Sequence, residues 1–416
     1  MQNVKTSLTY KRYLVPFVLI TTLFFLWGFA RAILDVLNKH FQEALNISIT
    51  QSAFIQVTTY LAYFLMAVPA GMFINKFGYR KGVVFGLVLF GIGALLFIPG
   101  AHASSSWIFY AFLVALFILG CGLTFLETAA NPYSTELGPR ETATSRLNLS
   151  QSFNGLGSCI APAIVGGYLF SGGDVTLPYM IMGIVVLLIA VVFSRVELPE
   201  IKHIAKDEES DNIEGNRFKK IWEHKMFVFG LAALLAYEIA EISINSYFIN
   251  FTTMPHVING ITHEGLMDSR HASFVLSGAL VLFMIGRFIG SAIMTRVKAE
   301  KALLCCAVCC ASCMGIIFLG PGSTAIYALV ANYLFEAIMF PTIFSLALRG
   351  MGGLTKTASS ILMMTPVGGC FFLVTGYIAD AHMLLPFVIP FVSYIIILFF
   401  AYTLLCRKGI ANVTDK

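Results

Sequence analysis

The chain has 416 residues, of which 58% are hydrophobic and only 12% are charged, and its mean hydropathy is +0.82. Because a soluble domain uses roughly a quarter of charged residues, this composition excludes a water-soluble fold, a disordered chain and a disulfide scaffold. The net charge of +5 is small and scattered, so it gives no indication of nucleic-acid binding. A spanning helix with its connection takes about 30–35 residues, and the length therefore predicts about twelve membrane spans.

The apolar segments predict an all-α membrane protein with twelve transmembrane helices in two six-helix pseudo-symmetric bundles. Lipid offers no partner to an open backbone N–H or C=O group, so segments this apolar must be helical. The first six predicted spans lie near residues 14–40, 50–76, 80–99, 106–136, 143–171 and 176–197. The second six lie near residues 224–253, 270–294, 300–320, 324–349, 354–381 and 384–406. The predicted domains are an N-terminal bundle (1–197), a cytoplasmic linker (198–223) and a C-terminal bundle (224–416).

The basic residues predict how the chain is oriented in the membrane. With twelve spans, 23 of the 27 Lys and Arg residues lie on the side that holds both termini. Lys39 and Arg270 lie on the other side, and Arg31 and Arg287 lie within spans. Since basic loops stay in the cytoplasm, we expect both termini to be cytoplasmic.

The first span carries a polar face. Arg31, Asp35, Asn38 and Gln42 recur at helical spacing and therefore lie on one side of the helix. Ionisable side chains at mid-bilayer cost about 2.5–3.5 kcal/mol and normally face the bundle interior. A dry cavity favours the neutral carboxyl and a wet one the carboxylate, so Asp35 is suited to load a proton on one side and release it on the other. A static Arg31–Asp35 ion pair is the alternative, and the two interpretations are compatible.

The fourth span contains an acid next to a proline. Glu127 lies one turn before Asn131 and Pro132, where a kink is expected. A carboxylate accepts two ligand hydroxyl groups at once and responds to their presence. A hydrogen bond that packs the helix near the proline is the alternative.

The fifth span presents three amides, Asn148, Gln151 and Asn154, at steps of three residues. Amides offer donors and acceptors together and therefore match hydroxyl groups. The corresponding positions in the second half of the chain are apolar, so we expect the first half to supply polar recognition. Amides also join helices inside membranes, which is the alternative.

The seventh span carries Glu241 and Asn245 one turn apart. An internal repeat with an offset of 210 residues pairs Glu241 with Arg31 and Asn245 with Asp35. A pseudo-twofold axis would bring Arg31 and Glu241 together across a cavity. The Arg31 guanidinium either holds an anionic ligand or is neutralised by Asp35 or Glu241, and the nearby acids favour the second.

Several other residues have two interpretations. Trp27 and Tyr237 either stack on the ring of a ligand or belong to ordinary packing. Glu238 and Glu336 are either functional acids or buried structure. The cysteines of the ninth span lack a His or acid partner and behave as small hydrophobes, so no metal site is predicted.

The repeat extends along the chain and carries a family resemblance. Glu127–Pro132 and Glu336–Pro341 share a Glu-x4-Pro spacing, offset by 209 residues. Duplicated halves around a central site are the architecture of secondary transporters. The chain resembles the fucose–proton symporter family of the major facilitator superfamily at segments in both halves: Phe24–Gly28, Leu126–Tyr133, Arg146–Asn154, Phe340–Leu346 and Gly376–Asp380.

The resemblance implies residue roles. Asp35 matches the proton-carrying acid of the family, and Glu127 matches the acid that binds substrate and links it to the proton. Gln151 and Asn154 match binding positions. The predicted proton-coupling residues are therefore Asp35 and Glu127. The predicted substrate-binding residues are Glu127, Gln151, Asn154, Asn148, Arg31, Asn38, Glu241, Asn245, Trp27 and Tyr237.

Together these observations predict proton-coupled uptake of a hexose or deoxyhexose, such as fucose, glucose or galactose, by alternating access. The alternatives are a symporter for an acidic or amino sugar and an uncoupled facilitator. No catalytic motif indicates an enzyme. We expect no cofactor beyond the co-transported proton, with sodium as the open alternative. The expected partners are a sugar, a proton and the lipid bilayer, without nucleic acid, for a monomer in a bacterial inner membrane.

Overall fold

The computed structural model describes residues 9–102, 107–139, 142–196, 214–258, 261–263, 265–294, 296–320, 322–351 and 354–414. The first helices are α1 (Leu14–Leu45), α2 (Ile49–Ser52), α3 (Phe54–Phe77), α4 (Tyr79–Leu95), α5 (Phe97–Ala101), α6 (Ile108–Glu136), α7 (Ala143–Ala161), α8 (Gly167–Leu169) and α9 (Thr176–Arg195). Then follow α10 (Glu214–Glu223), α11 (Lys225–Thr253), α12 (Ser269–Met294), α13 (Ala299–Ile317), α14 (Ser323–Glu336), α15 (Met339–Ala347), α16 (Thr355–Leu362), α17 (Phe372–Ala381) and α18 (Val388–Thr414). An antiparallel hairpin of β1 (His256–Ile258) and β2 (Ile261–His263) precedes α12.

The chain forms two compact units. The first comprises Met1–Leu37 and Phe54–Glu209, and the second comprises Asn38–Ala53 and Ser210–Lys416. The end of α1 and all of α2 thus pack with the second unit, although they precede α3 in the chain.

The first unit is built around α6, which packs against α3 and α4, while α4 also packs against α9. Gly122 of α6 shows how closely α4 approaches, because a Cβ atom at this position would lie 2.4 Å from the backbone nitrogen of Phe90. Small residues let helices approach in this way where lipid provides no hydrophobic force between them.

The second unit is built around α11, which packs against α18, α12 and α15. At one edge α2 contacts α17. The backbone N–H groups of Ile49 and Thr50 donate to the carboxylate of Asp380 at 2.9 and 3.0 Å, and the Thr50 hydroxyl also donates to it. Ser48 and Gln51 complete a capping box at the start of α2. Asp380 therefore fixes the segment Asn38–Ala53 to the rest of this unit.

Ten helices of the described residues are long and apolar enough to cross a membrane. They match ten of the twelve predicted spans, and the other two predicted spans are interrupted. In the fifth, α7 gives way to a π-helical turn at Pro162–Gly166 before α8. In the eleventh, a 3-10 segment at Thr365–Phe371 separates α16 from α17. Each irregular segment begins at or next to a proline, which lacks the N–H group that a regular helix needs.

Candidate functional site

Two tyrosines of α3 hold polar side chains of α1. The Arg31 Nε donates to the hydroxyl of Tyr60 at 3.2 Å, and its guanidinium lies 5.8 Å from the Tyr60 ring centroid. One turn along α3, the hydroxyl of Tyr63 accepts a hydrogen bond from Trp27 Nε1 at 2.9 Å. Sequence reasoning missed both tyrosines. Their spacing of three residues on one face of an apolar span is the signal that could have found them.

Glu127 of α6 lies in the same unit and is half-buried. It interacts electrostatically with Arg31 and with Tyr63. A carboxylate in this setting keeps accepting capacity for hydroxyl groups while a guanidinium offsets its charge. The helix continues past Pro132 as far as Glu136.

Helix α7 packs closely against α6 and α1. Gln151 Nε2 donates to Asn131 Oδ1 at 3.3 Å, which joins α7 to α6. Asn154 is half-buried, and a Cβ atom at Gly28 of α1 would overlap the backbone carbonyl oxygen of Asn154. Gln151 thus takes part in helix packing, while its carbonyl oxygen remains a hydrogen-bond acceptor. The side chain of Asn148 lies outside the described residues.

The first unit therefore brings together predicted site residues from three helices. Asp35 is half-buried on α1, one turn after Arg31. The other members contribute an indole, a guanidinium, a carboxylate and two amides: Trp27, Arg31, Glu127, Gln151 and Asn154. Donors, acceptors and an aromatic ring in one unit suit a ligand with many hydroxyl groups.

Asn38 belongs to the second unit and is fully buried. Its Oδ1 accepts hydrogen bonds from Gln42 Nε2 at 2.6 Å, Ser52 Oγ at 3.0 Å and Asn250 Nδ2 at 3.4 Å. These bonds join the end of α1 to α2 and α11. In this structure the Asn38 amide oxygen therefore serves packing, and its role in binding stays a prediction.

The remaining predicted residues lie on α11. Glu241 and Asn245 are half-buried, and the Oδ1 of Asn245 has no hydrogen-bond partner among the described residues. Tyr237 is 1% exposed and packs against Phe340 at a ring-centroid distance of 5.9 Å, which supports packing over stacking on a ligand. The pairing of Arg31 with Glu241 joins residues of different units and stays a prediction.

Comparisons with known proteins show which transporters this chain is similar to. A profile of the Major Facilitator Superfamily matches residues 20–373. The chain is 36% identical to the glucose/galactose transporter of Brucella abortus, with 94% of each chain covered. It is 32% identical to the L-fucose-proton symporter of Escherichia coli, with 94% of this chain and 93% of the relative covered.

Solved structures show the same similarity. The crystal structure of the Escherichia coli fucose:proton symporter matches with a TM-score of 0.69 and 31% identity, covering 94% of this chain and 98% of that one. The Escherichia coli xylose transporter in a partially occluded inward-open conformation matches with a TM-score of 0.72 at 13% identity, covering 93% and 98%. At that identity the second match supports the fold alone.

Proposed function

The chain belongs to the major facilitator superfamily and, within it, to the family of the fucose–proton symporters, and we propose that it takes up a monosaccharide together with protons. The relatives named for glucose and galactose or for fucose make a neutral hexose or deoxyhexose the proposed substrate. Alternating access is the proposed mechanism, in which a central site opens to one side of the membrane at a time.

Family membership confirms several predictions. The fold class is that of the major facilitator superfamily, an all-α fold with a short added hairpin. The chain is a transporter rather than an enzyme, and it is a multi-pass membrane protein.

The main observation that supports proton-coupled sugar uptake is the half-buried carboxyl of Glu127, on which the charge of Arg31 acts. In a closed, dry cavity, Glu127 and Asp35 are stabilised by binding a proton or by accepting hydrogen bonds from hydroxyl groups. When the cavity opens to water, hydration stabilises the carboxylates and the proton is released. Sugar and proton then stabilise the same closed state, so that each favours the movement of the other. Gln151 and Asn154 would orient the sugar through donors and acceptors.

The contacts of Arg31 favour a neutral sugar over an acidic one. Its Nε is bonded to Tyr60, and its charge acts on Glu127. A guanidinium engaged with protein groups in this way has less capacity left for the carboxylate of a sialic acid. An acidic or amino sugar is therefore the second candidate substrate.

The test is uptake by purified protein in proteoliposomes, with a panel of neutral, amino and acidic sugars and an imposed pH gradient. We expect the wild type to accumulate a neutral monosaccharide only when the gradient is present. Asp35→Asn should lose accumulation and keep sugar exchange, and Glu127→Gln should lose both coupling and affinity.

Three results would contradict the proposal or part of it. Full accumulation by Asp35→Asn would remove that residue from coupling. Sugar entry that does not alkalinise the medium would indicate a facilitator. Accumulation driven by a sodium gradient alone would replace the proton by sodium as the coupling ion.

The finer features of the location belong to the proposal as well. We expect the protein to work as a monomer in a bacterial inner membrane, with both termini in the cytoplasm, because the basic residues concentrate on the side of the termini. It needs no cofactor other than the co-transported cation.

A further inference from the structure

A buried carboxyl at the end of α14 has one well-bonded oxygen and one unbonded oxygen. Glu336 is 1% exposed, and its Oε2 accepts a hydrogen bond from Asn332 Nδ2 at 2.9 Å. Asn332 Nδ2 also donates to the hydroxyl of Tyr394 on α18 at 2.9 Å, and this hydroxyl acts on the Glu336 carboxyl. The Oε1 of Glu336 has no hydrogen-bond partner among the described residues. A donor on one oxygen and none on the other fits a neutral acid whose second oxygen carries the proton.

The charged groups that act on Glu336 are acids. The groups that act on its charge from α11 are Glu241 and Glu238, both acids. From α13 and α18 it is faced by uncharged groups, the Cys310 thiol and a tyrosine hydroxyl. A carboxylate buried beside other carboxylates is far more costly than an unbonded carboxyl O–H group.

Cations do not offset this arrangement. In the described part of the chain no Lys or Arg nitrogen lies within 4.0 Å of Glu336, and the ion pairs of this unit join other side chains. Arg287 of α12 acts on the neighbouring Tyr237 and packs on Phe283, at 4.7 Å from its ring centroid. The electrostatic balance at Glu336 is therefore set by acids.

The internal repeat of the sequence also indicates that Glu336 has an acidic neighbour. Glu336 corresponds to Glu127 at an offset of 209 residues, and Glu241 corresponds to Arg31. In the first half the acid has a guanidinium acting on it, and in the second half the equivalent acid has another acid. The two equivalent acids therefore have opposite electrostatic neighbours, a guanidinium in the first half and an acid in the second.

Two further buried groups at this place also lack a partner. The Oδ1 of Asn332 and the hydroxyl of Tyr237 have no hydrogen-bond partner among the described residues, and both residues are at most 1% exposed. Buried polar groups are nearly always hydrogen-bonded. Two buried groups without a hydrogen bond beside Glu336 therefore indicate a site that exchanges a small polar ligand, namely a proton with or without water.

We propose that Glu336 is a further proton-binding site, in addition to Asp35 and Glu127, which holds a proton in this state and exchanges it during transport. The inference rests on the proposed function. In the step itself, the Oε1–H bond breaks, an O–H bond forms on the water molecule that accepts the proton, and Glu336 is left as a carboxylate. Glu241 is half-buried and acts electrostatically on Glu336.

The test compares wild type with Glu336→Gln, which keeps the shape of the side chain and cannot exchange a proton. We expect sugar counterflow without a pH gradient to stay within about twofold of wild type, since exchange needs no net proton movement. Under a gradient of one pH unit, the loss of one coupled proton should lower the accumulation ratio about tenfold. The number of protons that enter with each sugar should fall in parallel.

Glu300→Gln is the matched control, because Glu300 is an acid of the same unit that is 2% exposed but paired with Arg349. It should leave the proton-to-sugar ratio unchanged. If the wild type shows no uptake driven by pH, the proposed function fails. If the wild type is coupled and Glu336→Gln accumulates sugar equally well, only the inference about Glu336 is overturned.

Tyr394→Phe keeps the inference testable if Glu336→Gln does not fold. This variant removes the hydroxyl group that accepts from Asn332 and acts on the Glu336 carboxyl, and it leaves the aromatic ring in place. The pH profile of uptake should then move to higher pH by about one unit. An unchanged profile in a folded Tyr394→Phe protein would show that Glu336 is a static buried acid and would overturn the proposal.

Discussion

We predict that Asp380→Asn weakens the contact between Asp380 and α2. In Asp380→Asn one carboxylate oxygen becomes an NH2 group that faces backbone donors. Hydrogen bonds to charged groups contribute about 1.5–3 kcal/mol each. Because Asp380 is exposed, solvent reduces this value, and we expect a loss of about 1–2 kcal/mol for the contact, or about 5–30-fold in its opening equilibrium.

Hydrogen–deuterium exchange measures this opening directly, because the amides of Ile49 and Thr50 are the donors. Their exchange should become faster by the same factor, while exchange in α11 stays unchanged. Asp174→Asn is the matched control, since Asp174 accepts from the backbone N–H and the hydroxyl of Thr176 in the first unit. It should leave residues 46–53 unaffected. Unchanged exchange at Ile49 and Thr50 in Asp380→Asn would refute the assigned role of this carboxylate.

Three further predictions concern packing and affinity. Gly28→Val places side-chain atoms against the backbone carbonyl of Asn154, and we expect the free energy of unfolding to fall by about 1–3 kcal/mol. A lower melting temperature in detergent would show this loss, and an unchanged melting temperature would contradict the close contact. Gln151→Leu should raise the KM for sugar about 5- to 100-fold, whereas unaltered uptake kinetics with a lower melting temperature would assign Gln151 to packing alone. Arg349→Gln removes the cation that pairs with the buried Glu300 carboxylate. Because Arg349 is half-exposed, we expect the free energy of unfolding to fall by about 1–3 kcal/mol, measured by thermal unfolding. Arg349→Lys should largely avoid this loss.

The sequence predicts most of the helices because lipid leaves an apolar chain few alternatives. It is least accurate where a span contains glycine and proline together. Residues 354–381 are apolar enough to suggest one helix, yet Pro366 with Gly368 and Gly369 lies in the 3-10 segment that divides it. Hydropathy measures transfer into lipid and carries no information about which backbone hydrogen bonds a helix completes.

The site is predictable only as far as single helices determine it. The polar face of α1 follows from spacing, but the contact of Arg31 with Tyr60 depends on how α3 packs against α1. Neither the partner of Gln151 nor the grouping of Asn38 with the second unit has a signature in local sequence. Such pairings depend on tertiary packing, so a pattern of residue types indicates candidates without fixing their partners.

The π-helical turn at Pro162–Gly166 has a consequence for interpreting the periodicity of its span. A π turn takes up one more residue than an α turn, and one residue corresponds to about 100° of rotation in an α-helix. A helical wheel drawn straight through α7 into α8 therefore misassigns every position after Gly166 by that angle. Mutagenesis guided by such a wheel would select Tyr168 for the wrong face, and a scan of this span needs two separate wheels.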